Sequence, residues 1–172
     1  MSQQTQNLMK KISLAKVVLN MGVGKSGEPI EIGKKALEQI TGKKPNARNA
    51  KKSQRDWGVR KGEPIGIAVT VRGNDATELL KKLLVVKDNQ IAEKAFDNEG
   101  NLSFGIKEHI DIPGIKYDPR IGILGLEVSI SLARPGFNIK FNKSKAKVGK
   151  NHRITKNDAI KFLTEEFEVK VV

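Results

Sequence analysis

Ile12, Leu14, Val17, Leu19 and Met21 recur along a segment rich in Val, Leu and Ile, a partial alternation that predicts a strand ended by Gly22 and Gly24. Pro29 then stands where a helix can begin, Ile30, Gly33, Leu37 and Ile40 recur at helical spacing, and Gly42 occupies the position of a left-handed cap. A first helix is expected there. Positions 43–61 carry few apolar residues and several suited to loops, whereas Ile65, Ile67, Val69 and Val71 make 64–72 a buried strand. In the next helix, capped by Asn74 or Asp75 and ending near Val86, Leu79, Leu80, Leu83 and Leu84 form an apolar stripe with Lys81 and Lys82 opposite. Asn98, Glu99, Gly100 and Asn101 supply turn chemistry before a strand over 102–110, and Pro113, Gly114 and Pro119 mark a loop before a long strand over 124–132. Thr155 with Asp158 three residues on is a capping-box arrangement for a last helix whose Ile160, Leu163 and Phe167 face inward.

Strands and helices mix without strict alternation, and no clear helix joins the last two long strands. The fold class expected is therefore α+β, a largely antiparallel sheet with helices on one face and the other open to a partner. A chain of 172 residues without internal repeats reads as one domain, 1–172, able to bury about 70% of its unfolded surface. The absence of cysteine excludes disulfides and thiolate metal sites. The polar opening, Ser2 to Asn7, lacks an apolar signal core, and no run approaches the ~18 apolar residues of a membrane span. A cytoplasmic, soluble protein is expected.

Charge adds a partition that the hydrophobic pattern does not show. The net charge of +13 resides in two stretches: 43–61, with eight basic residues against Asp56, and 140–153, with six basic residues and no acid. The remaining 18 basic and 18 acidic residues cancel. This describes a neutral body bearing a basic loop, 43–61, and a basic arm, 134–153, both suited to the phosphates of a nucleic acid. Trp57, flanked by Arg55, Asp56, Gly58 and Arg60, either lies on a nucleotide or anchors the loop on the core. Lys140, Lys143, Lys145, Lys147, Lys150 and Arg153 are the candidate RNA contacts of the arm, which lacks acids and, on its own, should be mobile. Lipid phosphates are a weaker alternative, since the arm holds no amphipathic helix with a bulky apolar face.

Catalysis finds little support. Gly22, Val23, Gly24, Lys25 and Ser26 resemble the end of a phosphate-binding loop, yet the pattern requires a glycine where Leu19 stands, and Pro29 delays the helix. A nucleotide-dependent enzyme built on 22–26 is the competing hypothesis, and a membrane-surface or general RNA-chaperone role is the third. His109 and His152 are isolated, the carboxylates are scattered, and no cofactor or metal is called for. Aromatics are 5% of the chain, too few for a stacking RNA module, so recognition should rest on RNA shape and backbone.

Several segments together resemble one family. The run Lys16-Val17-Val18-Leu19-Asn20-Met21-Gly22-Val23-Gly24, then Gly42-Lys43-Lys44-Pro45, then Arg60-Lys61-Gly62-Glu63-Pro64-Ile65-Gly66 leading to Val69-Thr70-Val71-Arg72-Gly73, are similar to the large-subunit ribosomal protein family numbered five. Asn101-Leu102-Ser103-Phe104-Gly105, Ile112-Pro113-Gly114-Ile115-Lys116-Tyr117-Asp118 and Gly125-Leu126-Glu127-Val128 extend the resemblance over most of the chain. It implies a non-catalytic ribosomal component that binds 5S rRNA and joins it to large-subunit rRNA at the central protuberance, beside other ribosomal proteins there. It also implies that Lys16, Asn20, Lys43, Thr70 and Arg72 contact 5S rRNA. The loop that reaches toward P-site tRNA would do so through Lys51, Lys52, Ser53 and Arg60, with Arg55 and Trp57 joining them on charge and ring chemistry. A missing N-terminal helix and the added arm resemble the archaeal and eukaryotic branch.

Overall fold

The computed structural model describes residues 7–24, 26–115, 117–141 and 147–172. The first strand, β1 (Ser13–Gly22), leads to α1 (Glu28–Thr41), β2 (Asn46–Asn49), β3 (Pro64–Val71), α2 (Asn74–Val85), β4 (Gln90–Ile91), β5 (Leu102–Ile106), β6 (Leu126–Ala133), α3 (Lys156–Phe167) and β7 (Lys170–Val171). Five strands form one sheet in the order β2-β3-β1-β6-β5, every neighbouring pair antiparallel. The fold is α+β, as the pattern predicts. Among the described residues the one parallel pair is β4 with β7, two residues each and too short to leave a periodic signal.

The irregular spacing along β1 has a structural cause. Leu14 pairs with Leu132 but Lys16 pairs with Ser131, so Ala15 is the extra residue of a β-bulge. A bulge reverses the facing of everything beyond it. Leu14 and then Val17, Leu19 and Met21 therefore look to the helices, where they meet Val69, Val71, Val128 and Ile130 in one buried cluster.

The helices cover that face. α1 packs on β3 and α2 on β1. Ile30, Gly33, Ala36 and Leu37 are the buried side of α1, and a methyl group at Gly33 would stand 2.6 Å from Ile67 Cδ1, which shows how closely the helix approaches the sheet. Gly42 ends α1 in the left-handed conformation, φ 63°, its N–H donating to the Glu38 carbonyl at 2.7 Å. α2 buries Ala76, Leu79, Leu80, Leu83 and Leu84. Its cap differs from expectation: Gly73 holds the N-cap position without a side-chain bond, and Asn74 and Asp75 lie inside the first turn.

Three boundaries also differ. Part of the expected 43–61 loop is strand, because β2 adds to the outer edge of β3 and an edge strand over little core needs no apolar alternation. β5 stops at Ile106 instead of reaching 110, since the chain turns at His109–Asp111 and buries the His109 ring, whose Nδ1 accepts the Leu124 N–H at 3.2 Å. β6 runs Leu126–Ala133, against the expected 124–132.

α3 has the capping box that its sequence predicts. The Thr155 hydroxyl accepts the Asp158 N–H at 3.3 Å and Asp158 Oδ2 accepts the Thr155 N–H at 3.2 Å. Leu163 and Phe167 are buried as expected, with Ile160 only partly so. Asp158 Oδ2 also takes Arg134 Nη2 at 3.1 Å, tying the end of β6 to the start of α3. Partial burial pushes the Asp158 carboxyl up, but the bonds from Thr155 and the Arg134 charge outweigh it and hold the group below the usual aspartate range. A carboxyl lowered in the folded state contributes stability above its unfolded pKa of about 3.9 and loses it as pH falls through the folded value. Asp158→Asn should therefore lower the melting temperature at neutral pH, with the gap from the native chain narrowing below about pH 4, as followed by circular dichroism.

Candidate nucleic-acid interface

The bulge at Ala15 places Lys16 on the opposite side of the sheet from Leu14, and with it Val18 and Asn20. Strand register then brings four of the five predicted 5S rRNA contacts together. Val18 pairs with Thr70, Asn20 lies two residues along, and Arg72, the residue after β3, continues the row of Lys16 and Ser131. α1 and α2 pack with their buried sides on the opposite face. Lys43 stands apart: its ammonium lies 2.7 Å from Asp75 Oδ2 in the first turn of α2, on the helical side. The hydrogen bond from Lys43, and then its charge, hold the Asp75 carboxyl below its usual range.

The open face is built from short side chains. Across its middle, Asn46, Ala68, Asn20, Glu127 and Gly105 stand side by side on five strands. The next row holds Thr70, Val18, Ser129 and Ser103. Arg48, paired with Gly66, occupies one end and Lys16 the other, separated by about 20 Å at the ordinary rise of a strand. Cations at the rim with hydroxyls and amides between them suit a ribose-phosphate backbone, because hydroxyls and amides both donate to and accept from 2′-OH groups.

Sequence reasoning missed Ser129, Ser131 and Glu127, although the alternation Leu126-Glu127-Val128-Ser129-Ile130-Ser131-Leu132 carries them in plain view. Asn46 and Arg48 had no such signal, since β2 lacks a buried side of its own.

The predicted tRNA-contacting residues share the tip of the β2–β3 hairpin. Ala50 and Glu63 continue the pairing, with Ala50 N–H on the Glu63 carbonyl at 2.8 Å and Gly62 N–H on the Ala50 carbonyl at 2.9 Å. Further out, Gln54 and Val59 exchange both backbone bonds at 2.8 and 3.0 Å. The Ser53 hydroxyl accepts the Lys61 N–H at 2.9 Å. The basic loop is thus a laddered projection with Lys51, Lys52, Ser53, Arg55 and Arg60 all exposed. Trp57 is 78% exposed, so the alternative in which it anchors the loop on the core is excluded.

The arm departs further from expectation. Lys143 and Lys145 lie outside the described residues, but the described flanks of the arm are bound to the body. Arg134, the first residue of the expected arm, is nearly buried, its Nη1 donating to the Arg153 carbonyl at 3.1 Å while Nη2 meets Asp158. His152 Nε2 lies 2.8 Å from the Pro135 carbonyl and its ring meets Phe137 edge-on, with centroids 5.7 Å apart. Arg153 Nε donates to the Val148 carbonyl at 3.3 Å, and Val148 and Ile154 are buried. Apolar anchors and a buried guanidinium hold segments that charge composition alone assigns to solvent. Lys147 and Lys150 remain exposed, whereas Lys140 lies 5.0 Å over the Phe137 ring and 3.9 Å from Glu99 Oε2.

The phosphate-loop candidate does not assemble. α1 begins at Glu28, four residues past Gly24, and its first turn carries Glu28 and Glu31, which repel a phosphate at that N-terminus. Lys25 lies outside the described residues. No described helix is long and apolar enough to cross a membrane.

Two family models match the chain: ribosomal protein L5 over residues 7–60, and the C-terminus of the same ribosomal protein family over residues 64–162. The chain belongs to the L5 family of ribosomal proteins. The large ribosomal subunit protein uL5 of Nitrosopumilus maritimus is 66% identical to it over 172 residues, covering 99% of each chain. The uL5 proteins of Sulfolobus acidocaldarius and Archaeoglobus fulgidus are each 45% identical, over 97% and 92% of this chain and 94% and 89% of their own. Membership in the L5 family makes the chain a constituent of the large ribosomal subunit, with rRNA and other ribosomal proteins as its partners. It also agrees with the archaeal side of the resemblance.

Trp57 is the one tryptophan of this L5 chain and therefore a clean optical probe. In the free protein its emission should be that of a solvated indole, readily quenched by acrylamide. A blue-shifted, shielded emission would place the ring inside.

Proposed function

We propose that this L5-family chain binds 5S rRNA on its open sheet face, attaches it to large-subunit rRNA at the central protuberance, and reaches P-site tRNA with the tip of its β2–β3 hairpin. Residues 1–172 act as one domain and perform no catalysis. The observation that carries the reading is the convergence of Lys16, Asn20, Thr70 and Arg72 on the face opposite the one that α1 and α2 cover. Lys16 and Arg72 meet phosphates, Thr70 meets a ribose hydroxyl, Asn20 offers a donor and acceptors beside it, and Arg48 extends the cationic rim. Lys43 is available to RNA only on leaving Asp75, an exposed pair that holds it weakly. Lys140, Lys147, Lys150 and Arg153 serve other rRNA from the flank of the body, together with Lys143 and Lys145, which lie outside the described residues.

Titrating the protein against 5S rRNA at several salt concentrations tests the main statement. Affinity should fall with a log-log slope of roughly 0.7 to 0.9 per phosphate neutralised, and Arg72→Ala should make the slope shallower by about one contact while leaving the melting temperature nearly unchanged. Absence of binding at low salt would remove the reading.

The hairpin tip is tested separately. Deleting 51–60, which lies outside the Ala50–Glu63 pairing, should leave folding and 5S rRNA binding intact and weaken retention of tRNA in the P site of reconstituted particles. Loss of folding would show that the tip is part of the core.

A further inference from the structure

We propose that Glu127, with Asn20 beside it, reads the exocyclic 2-amino group of a guanine, giving a surface otherwise suited to backbone contacts one point of base recognition. This inference rests on the open face being the RNA-binding surface. Glu127 pairs with Asn20 on one side and Gly105 on the other, in the middle of that face. It is exposed, and among the described residues its carboxylate makes neither an ion pair nor a side-chain hydrogen bond. Asp97, near the margin of the same face, differs: it accepts the Glu99 N–H, the Asn101 N–H and the Asn101 side-chain amide, and is spent within its turn. Lys107, two residues past Gly105, forms no ion pair with Glu127.

A lone carboxylate facing RNA is repelled by phosphates and accepts hydrogen bonds without donating any. Left without donors in a closed interface it would carry the full cost of an unpaired charge. Phosphates offer no donor. In the shallow minor groove of A-form RNA the only base donor is the 2-amino group of guanine, and on an unpaired guanine the adjacent N1–H and 2-amino group match both carboxylate oxygens. In that groove guanine is the only base that donates, and among unpaired bases it alone offers two adjacent N–H groups to the two carboxylate oxygens. Asn20, one strand away, supplies an amide N–H for the neighbouring N3 acceptor, so the two side chains complement the acceptor-donor order of the guanine minor-groove edge. Gly105 presents no side chain on the far flank, and a Cβ built there meets nothing within 4 Å, which leaves room for a base edge beside Glu127.

Interference mapping separates base reading from its alternatives. 5S rRNA in which inosine, which lacks only the 2-amino group, sparsely replaces guanosine is partitioned into bound and free fractions by the native protein, Glu127→Ala and Glu127→Gln. The native protein should exclude inosine at one or a few positions, whereas Glu127→Ala should bind about 10- to 100-fold more weakly and lose exclusion at a position that the native protein guards. Glu127→Gln, nearly isosteric, keeps one acceptor and should fall between them. Identical inosine patterns for native protein and variants, or tighter binding on removal of the carboxylate, would overturn the proposal. So would interference by 2′-deoxy substitution alone, because Glu127 would then meet a ribose hydroxyl. Failure of the native protein to bind the RNA at all would instead sink the reading of the open face on which this one stands.

Discussion

The strand β1 at the centre of the sheet, and the single extra residue in it, divide this protein into a structural side and a binding side. Ala15 lets one strand pack Leu14 against the core and then bury Val17, Leu19 and Met21 on the same face, while Lys16 and Asn20 turn to the other. Without the bulge, strict alternation from Leu14 would carry Lys16 into the core and move Val17 out of it. Burying an unpaired ammonium costs several kcal/mol, more than a bulge does, so the hydrophobic and electrostatic demands on β1 are met together only with the irregularity in place. The helices, the core and the polar face all take their positions from that register.

Much of this architecture was legible in the sequence because most elements carry their own periodic signal. The interrupted spacing between Leu14 and Val17, the cap at Gly42, the leucine stripe of α2 and the Thr155-Asp158 box each survive in three dimensions. What escaped was structure that depends on a neighbour. β2 exists by pairing with β3 and has no core of its own to encode, and β4 and β7 are two residues each. The early end of β5 follows from the inward turn of His109, whose acceptor role toward Leu124 no local pattern announces.

The candidate site divides the same way. Lys16, Asn20, Thr70 and Arg72 were named by resemblance to a family, and register alone makes them a surface. Lys43 was named with them and belongs to a different neighbourhood, next to Asp75. Charge counting located the two basic stretches but not their conformation. The first is a hydrogen-bonded hairpin, and the described flanks of the second are pinned through Arg134, Val148 and Ile154. Net charge speaks to partners and says little about whether the backbone that bears it is ordered.

The scarcity of long side chains in the middle of the sheet has a thermodynamic corollary. Gly66, Ala68, Gly105 and the serines of β5 and β6 have few rotamers to lose, and a hydrogen-bonded sheet has little backbone freedom left to surrender. A partner that settles there meets a stiff anvil, and most of the conformational adjustment falls to the partner.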